Sequence, residues 1–193
     1  MRGLAQEAGR KLFHLLSLAF LAAYQLIGCP RVVYWMLAWT ALVAAAETAR
    51  LRRPALNDAL LAFFGGIYRR DERRALSGIF YTSLGALGLF LFFGERPPIV
   101  AAALFDLALG DAAAALVGRA FGRLKIGAGA KTLEGSLACF LTCLLVGLAM
   151  GFAALPAAAS ALAATLIELL PSRLFNDNLC LPLGAAAALR LFF

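Results

Sequence analysis

Long apolar stretches, separated by short groups of arginine, glycine and proline, recur along the whole chain. The chain has 193 residues, of which 63% are hydrophobic and 15% are charged. A soluble domain of this length cannot bury so much apolar surface, so a bilayer must supply the apolar solvent. The sequence therefore predicts an all-α fold, a polytopic transmembrane helical bundle, with residues 1–193 forming a single integral membrane domain.

The lengths of the apolar stretches predict about seven spans, because a spanning helix needs about 20 apolar residues. The expected spans cover residues 12–27, 32–48, 76–93, 99–118, 133–152 and 157–170, and a last span ends at residue 193. The apolar piece 55–68 is shorter and carries Asn57 and Asp58 near its start. We expect it to be a short re-entrant or interfacial helix. Basic residues before the first span resemble a signal peptide, but no clear cleavage site follows, so we expect a retained span.

The formal net charge is +7, with 18 Lys and Arg against 11 Asp and Glu. In a membrane protein such an excess is typical of cytoplasmic loops, and we expect no nucleic-acid partner. With the N-terminus in the cytoplasm, most basic residues fall on the cytoplasmic side, and only Arg31, Arg96 and Arg190 fall outside. The pattern predicts a multi-pass protein with its polar face in the cytoplasm, in the plasma (inner) membrane if the source is bacterial. The sequence does not indicate an oligomeric state.

Two carboxylates, Asp106 and Asp111, lie inside one apolar span. Intramembrane carboxylates are costly and usually functional, so Asp111 is a candidate site residue. Five residues separate the two, and an ideal helix would not align them, although Gly110 could relax it. For Asp106, a hydrogen bond to a neighbouring helix is an equally good interpretation.

A basic, glycine-rich loop follows this span and runs from Gly118 to Ser136. Lys131 precedes the next predicted helix, whose N-terminal amides favour phosphate. Arginines add bidentate contacts to phosphate oxygens. A carboxylate beside such a cluster is the usual means of holding Mg²⁺ on a polyphosphate, so Mg²⁺ is the expected cofactor. An ordinary basic cytoplasmic loop is the alternative.

The segments GDAAAALVGRAFGRLK (110–125) and KTLEGSLACF (131–140) resemble the signature of the phytol kinase and dolichol kinase family of CTP-dependent membrane lipid kinases, which includes CTP-dependent diacylglycerol kinase. An RK-x-x-H pattern ending at His14, the pair Glu47 and Arg50, an E-x(4)-SG-x-x-Y stretch from Glu72 and a closing E…DNL-x-x-P segment from Glu168 also fit. The resemblance covers nearly the whole chain. It implies transfer of the γ-phosphate of CTP, or of ATP, to a membrane lipid alcohol of the polyprenol, dolichol or phytol type or to diacylglycerol.

The resemblance also implies roles for individual residues. The catalytic group would comprise Asp111, Asp106 and Lys131. Metal ligands would be Asp111, Glu134, Glu168 and Asp177. Nucleotide and phosphate contacts would come from Arg10, Lys11, Gly118, Arg119, Arg123, Lys125, Lys131, Thr132, Ser136 and Asn178.

Simpler roles remain open for several of these groups. Arg10 and Lys11 are also suited to anchoring the first span, Asp177 and Asn178 to capping the last helix, and Glu47 with Arg50 to a plain ion pair. Two other functions are compatible with a polar face on a helical bundle. One is a phosphatidate cytidylyltransferase, although its His-Gly-Gly run is missing, and the other is a small lipid transporter without enzymatic activity.

Overall fold

The computed structural model describes residues 11, 15–63, 73–126, 131–170 and 176–193, and within these ranges the chain is almost entirely helical. This confirms the all-α prediction for the described residues. A 3₁₀ turn, Leu15–Ser17, leads into the first helix. The helices are α1 (Leu18–Ile27), α2 (Arg31–Arg52), α3 (Pro54–Phe63), α4 (Gly78–Phe93), α5 (Pro97–Phe105), α6 (Asp111–Phe121), α7 (Leu133–Ala149), α8 (Ala154–Leu169) and α9 (Asp177–Arg190).

Two of these helical stretches are long and apolar enough to cross a membrane. One is α2, with 22 residues, and the other is the continuous stretch Pro97–Phe121, with 25 residues. At 1.5 Å per residue they are about 33 and 37 Å long, against a hydrocarbon core of about 30 Å. The other apolar helices are shorter, so the predicted count of seven spans is not confirmed. Helix α3 has 10 residues, about 15 Å, which is too short to cross.

A π-helical turn, Asp106–Gly110, joins α5 to α6 within the long stretch. The backbone bonds of a π turn run from residue i to i+5, and such turns are frequent at functional sites. The turn lies between the two intramembrane carboxylates, where the sequence predicted that Gly110 could relax the helix. Asp106 and Asp111 are therefore one π turn apart, at the start and just past the end of the irregular segment.

Contacts between helix ends place the arginine-rich connections at one end of the bundle. The Glu47 carboxylate in α2 accepts a 2.8 Å hydrogen bond from the N–H of Ser77, just before α4. The Asn178 amide in α9 donates to the carbonyl of Gly78, in α4, at 3.3 Å. Lys131, just before α7, contacts the last turn of α8 and the first turn of α9. The described basic residues 50–53, 73–74 and 119–131 therefore share one end, and the side of the membrane that this end faces stays a prediction.

Glycines let the helices approach closely. A Cβ atom added to Gly135 in α7 would lie 2.7 Å from the carbonyl oxygen of Ala114 in α6. A Cβ added to Gly147 would lie 2.8 Å from the Cβ of Ala157 in α8. In a membrane, where no hydrophobic force drives helices together, small residues give the van der Waals contact that holds them. These contacts pack α6, α7 and α8 side by side.

A buried arginine fixes the segment that precedes α4. The Arg50 guanidinium is 1% exposed and pairs with Glu47 at 2.7 Å. It also donates to the side chain of Asn57 and to the carbonyl of Ala75, each at 2.7 Å. Glu47 in turn accepts from the N–H of Ser77. Glu47 and Arg50 therefore form more than a plain ion pair, because they tie α2, α3 and the start of α4 together.

Candidate functional site

Asp111 opens helix α6 and binds a lysine from the far N-terminal part of the chain. The Nζ of Lys11 donates to Oδ2 of Asp111, and both side chains are at least nine-tenths buried. A buried charge is tolerated when it is paired, so each of these residues stabilises the charge on the other. Asp111 lies ten residues before the end of its helix, or about 15 Å along the axis, so the pair is recessed into the bundle.

Lys131 is surrounded by carboxylates from two other helices. Its Nζ lies 2.6 Å from Oε1 of Glu168, also donates to the carbonyl of Glu168, and lies 3.5 Å from Oδ2 of Asp177. Burial disfavours the charged ammonium, but Asp177 and Glu168, with a smaller contribution from Asp111, outweigh it and raise the pKa of Lys131. Because Asp111 also contributes to the raised pKa of Lys131, we refer to the residues of these three ion pairs together as the ionic cluster, which comprises Lys11, Asp111, Lys131, Glu168 and Asp177.

The ends of three consecutive helices bring this cluster together. Lys131 precedes α7, Glu168 lies in the last turn of α8 and Asp177 is the first residue of α9. Because α8 packs against both α7 and α9, the start of α7, the end of α8 and the start of α9 meet at one end of the bundle. The sequence predicted each of these residues for the site, and the structure brings them into contact.

The ionic cluster combines both signs of charge, so it offers donors to phosphate oxygens and carboxylate oxygens to a cation. Three carboxylates and two ammonium groups sum to a formal charge of −1. Carboxylate oxygens are the ligands that Mg²⁺ prefers, so Asp111, Glu168 and Asp177 have the right donor chemistry. Among the described residues, however, no group of three or more His, Cys, Asp or Glu side chains is arranged to hold a metal ion. The carboxylates form ion pairs with the lysines, and the Mg²⁺ assignment stays a prediction.

Asp106 is separate from the ionic cluster and faces helix α8. It is 1% exposed, and its Oδ2 accepts a 3.1 Å hydrogen bond from the hydroxyl of Ser160. Its Oδ1 has no hydrogen-bond partner among the described residues. The Ser160 hydroxyl also lies 3.3 Å from the carbonyl of Ala185 in α9, so it links three helices. This geometry supports the helix-contact interpretation of Asp106, and its expected catalytic role stays untested.

Thr132 and Ser136 use their hydroxyls within the start of α7. Thr132 is the N-cap, and its Oγ1 accepts from the N–H of Gly135 at 3.2 Å. The Ser136 hydroxyl donates to the carbonyl of Thr132 at 3.1 Å. A Cβ added to Gly118 or Gly122 would lie 3.0 or 2.8 Å from Oγ1 of Thr132. These glycines therefore let the start of α7 pack on the end of α6, and their predicted contact with phosphate is untested.

Glu134 lies beside the loop that connects α6 to α7. Its carboxylate accepts hydrogen bonds from the N–H groups of Arg123, at 2.9 Å, and Leu124, at 3.2 Å. No contact joins it to the ionic cluster in the described part of the chain. Arg119, Arg123 and Lys125 are exposed along the same connection. Glu134 was predicted as a metal ligand from its position in the motif; the structure shows its carboxylate bonded to backbone N–H groups, and the metal-ligand role stays a prediction.

The first turn of α9 is capped by a residue that the sequence reasoning missed. Asn176 is the N-cap, and its side-chain oxygen accepts from the N–H of Asn178 at 3.1 Å. Asp177 faces Lys131 rather than capping the helix, and the amide of Asn178 donates to the carbonyl of Gly78. The signal was available, because asparagine is a preferred N-cap residue. Ser160, the partner of Asp106, was also missed, and nothing in its local sequence indicates that pairing.

Several predicted residues lie outside the described ranges. They are Arg10, His14 and Glu72, with the loop glycines 127 and 129. The structure therefore bears on Lys11 but not on the rest of the N-terminal pattern.

The fold and the ionic cluster together define a helical membrane protein with an ionic site at one end of its bundle. No protein-family model matches the chain, and no solved structure matches it. Two curated proteins do, and both carry the name CTP-dependent diacylglycerol kinase 1. The protein of Saccharomyces cerevisiae is 31% identical over 139 residues, which is 69% of this chain and 47% of the yeast protein. The protein of Eremothecium gossypii is 31% identical over 145 residues, which is 70% of this chain and 43% of that protein.

The chain therefore spans less than half the length of the curated relatives it matches. Its relationship to the CTP-dependent lipid kinases, which the motifs predicted, is confirmed.

Proposed function

We propose that this protein is a CTP-dependent lipid kinase that transfers the γ-phosphate of CTP to the hydroxyl of diacylglycerol. The observation that carries the proposal is the ionic cluster, in which Lys131 meets Glu168 and Asp177 beside the pair of Lys11 and Asp111. The names of the two relatives favour CTP over ATP, and diacylglycerol over the isoprenoid alcohols that the sequence left open.

Lys131 is the residue that we assign to the nucleotide phosphates. Its ammonium has three N–H donors, and the carbonyl and carboxylate of Glu168 and the carboxylate of Asp177 account for three acceptors. The contact with Asp177 is the longest, at 3.5 Å, so a phosphate oxygen would replace that one at least cost. Lys131 would then stay held by Glu168 while neutralising the charge on the transferred group.

Asp111 is the carboxylate that we assign to the acceptor hydroxyl. In the transfer, the lipid oxygen forms a bond to the γ-phosphorus, the bond from that phosphorus to the β–γ bridging oxygen breaks, and CDP leaves. The hydroxyl proton must go to a base, and we assign that role to Asp111, whose carboxylate is buried inside the bundle. Lys11 holds the Oδ2 atom of Asp111 and so fixes the orientation of the carboxylate.

Mg²⁺ is the cofactor that this chemistry favours. Glu168 and Asp177 have the carboxylate oxygens that Mg²⁺ prefers and would hold it, and the ion would neutralise charge on the phosphates of the bound nucleotide.

The basic residues at the end of the bundle that holds the ionic cluster indicate how the protein is oriented in the membrane. We propose that the ionic cluster faces the cytoplasm, where CTP is available, because the described arginines and lysines 50–53, 73–74 and 119–131 lie at that end. The shorter apolar helices would complete a multi-pass domain of about seven spans around the two long ones, in the inner membrane if the source is bacterial.

A lipid phosphorylation assay tests the proposal. The purified protein receives Mg²⁺, γ-labelled CTP or ATP, and in separate reactions diacylglycerol, phytol, farnesol or a polyprenol. We expect label in the diacylglycerol product with CTP, and its loss in Asp111→Asn and Lys131→Ala. Absence of any labelled lipid would overturn the kinase proposal, whereas undiminished activity in both variants would overturn only the assignment of the site.

A further inference from the structure

The two described parts of the connection between α6 and α7, residues 122–126 and 131–132, pair with each other. Lys125 and Thr132 form an antiparallel bridge. Beside it, the N–H of Ile126 donates to the carbonyl of Lys131 at 2.9 Å, and the N–H of Leu133 donates to the carbonyl of Leu124 at 2.8 Å. The backbone of Lys131 is therefore held by residues 124–126, in the part of the connection that follows α6.

Glu134 holds the part of the connection that follows α6 in place. Its Oε1 accepts from the N–H groups of both Arg123 and Leu124, at 2.9 and 3.2 Å, and its Oε2 lies 3.3 Å from the same Leu124 nitrogen. These N–H groups follow the end of α6 at Phe121, and the Glu134 carboxylate supplies their acceptor. Glu134 is itself in the first turn of α7, so one side chain joins the end of one helix to the start of the next.

A metal-ligand role for Glu134 fits this geometry poorly. Its carboxylate points at backbone amides of the exposed loop, whereas Asp111, Glu168 and Asp177 are buried around the two lysines. A carboxylate that accepts two or three N–H bonds has few lone pairs left for an ion.

We infer that Glu134 is a positioning residue: it closes the loop on which Lys131 stands and thereby sets the place of the Lys131 ammonium, without touching substrate or metal. The kinetic test of this inference rests on the proposed function. The hydrogen-exchange test rests on the backbone geometry alone. We expect the acceptor oxygen to matter more than its charge, because a single oxygen, Oε1, accepts from both N–H groups.

Two variants separate positioning from metal binding. Glu134→Gln keeps an oxygen in the place of Oε1 but is a poor Mg²⁺ ligand, whereas Glu134→Ala removes the acceptor altogether. We expect the Gln variant to rescue most of the activity that the Ala variant loses, with a KM for CTP and a half-saturating Mg²⁺ concentration close to those of the wild type. The Ala variant should lose about tenfold or more in kcat/KM for CTP, because it removes the acceptor of two backbone hydrogen bonds. A Gln variant as impaired as Ala, with a raised Mg²⁺ requirement, would overturn the inference.

A second measurement does not depend on activity. Amide hydrogen exchange of peptides covering residues 122–126 is compared among the wild type, both Glu134 variants and the control Glu95→Ala, which removes an exposed carboxylate from the turn before α5. We expect faster exchange at Arg123 and Leu124 in Glu134→Ala alone, by about tenfold or more. Unchanged exchange in that variant would overturn the loop-closing role. If exchange responds as expected while no lipid is phosphorylated by the wild type, the positioning geometry stands and the proposed function fails.

Discussion

The contact between Lys131 and Glu168 allows a quantitative test of the ionic cluster. The two side chains meet at 2.6 Å and are 29% and 7% exposed. In Lys131→Met, Glu168 and Asp177 lose the ammonium between them, and breaking a buried pair from one side costs about 3–5 kcal/mol. We expect the lower end of that range, because Lys131 is partly open to water. In a chain of this size, a loss of about 3 kcal/mol lowers Tm by roughly 6–12 °C.

A double-mutant cycle isolates the pair itself. Lys131→Met, Glu168→Gln and the double variant are compared by thermal unfolding in detergent, and we expect a coupling free energy of about 2 kcal/mol, because contacting residues couple by about 0.5–3 kcal/mol. The chain offers a matched control in the ion pair of Arg73 and Asp58, which has a similar distance of 2.7 Å but side chains that are 63% and 57% exposed. That control should couple by less than about 1 kcal/mol. Additive effects at Lys131 and Glu168, within about 0.5 kcal/mol, would refute the buried pair.

Three further predictions concern single positions. Asp111→Asn should lower kcat for lipid phosphorylation by about 100-fold or more, the usual worth of a positioned base, whereas Asp106→Asn should cost less than about tenfold because an amide still bonds across the helices; similar losses in both would contradict the separate roles. Arg50→Ala should destabilise the fold by about 3–5 kcal/mol, measured by thermal unfolding, since it leaves the buried Glu47 carboxylate without its cation, and a change below about 1 kcal/mol would contradict the role of Arg50 in tying α2, α3 and the start of α4 together. Gly135→Ala should cost about 1–3 kcal/mol by the same measurement, because its Cβ would lie 2.7 Å from the carbonyl oxygen of Ala114, and a neutral effect would contradict the close packing of α6 on α7.

The helices could be predicted from the sequence because a bilayer leaves the backbone few alternatives. Each described apolar stretch is helical, since every backbone polar group must be satisfied within its own segment. The boundaries followed from strong local signals, such as Gly94 with Pro97 and Pro98 between α4 and α5. The number of spans did not follow, because several helices are too short to be distinguished from buried ones by length and composition.

The site was predictable only in part. Asp111 and Lys131 were identified because a charge inside an apolar run and a lysine before a helix have local meanings. The pairings between distant residues had no such signal: Lys11 was expected at the site, but it lies 100 positions from its partner Asp111, and Ser160 lies 54 from Asp106. The backbone contacts of Glu134 were missed for a related reason, because a motif shows that a carboxylate is present but not which atoms it contacts.

The position of the transferred label tests the central claim most directly. Purified protein is supplied with Mg²⁺ and diacylglycerol, and parallel reactions contain CTP labelled either at the γ-phosphate or at the α-phosphate, with phosphatidate as the alternative acceptor. The proposed kinase predicts that only the γ-label enters lipid, that the α-label is recovered in CDP, and that Lys131→Ala abolishes the transfer. Entry of the α-label into lipid with release of pyrophosphate from CTP and phosphatidate would show a cytidylyltransferase and contradict this account.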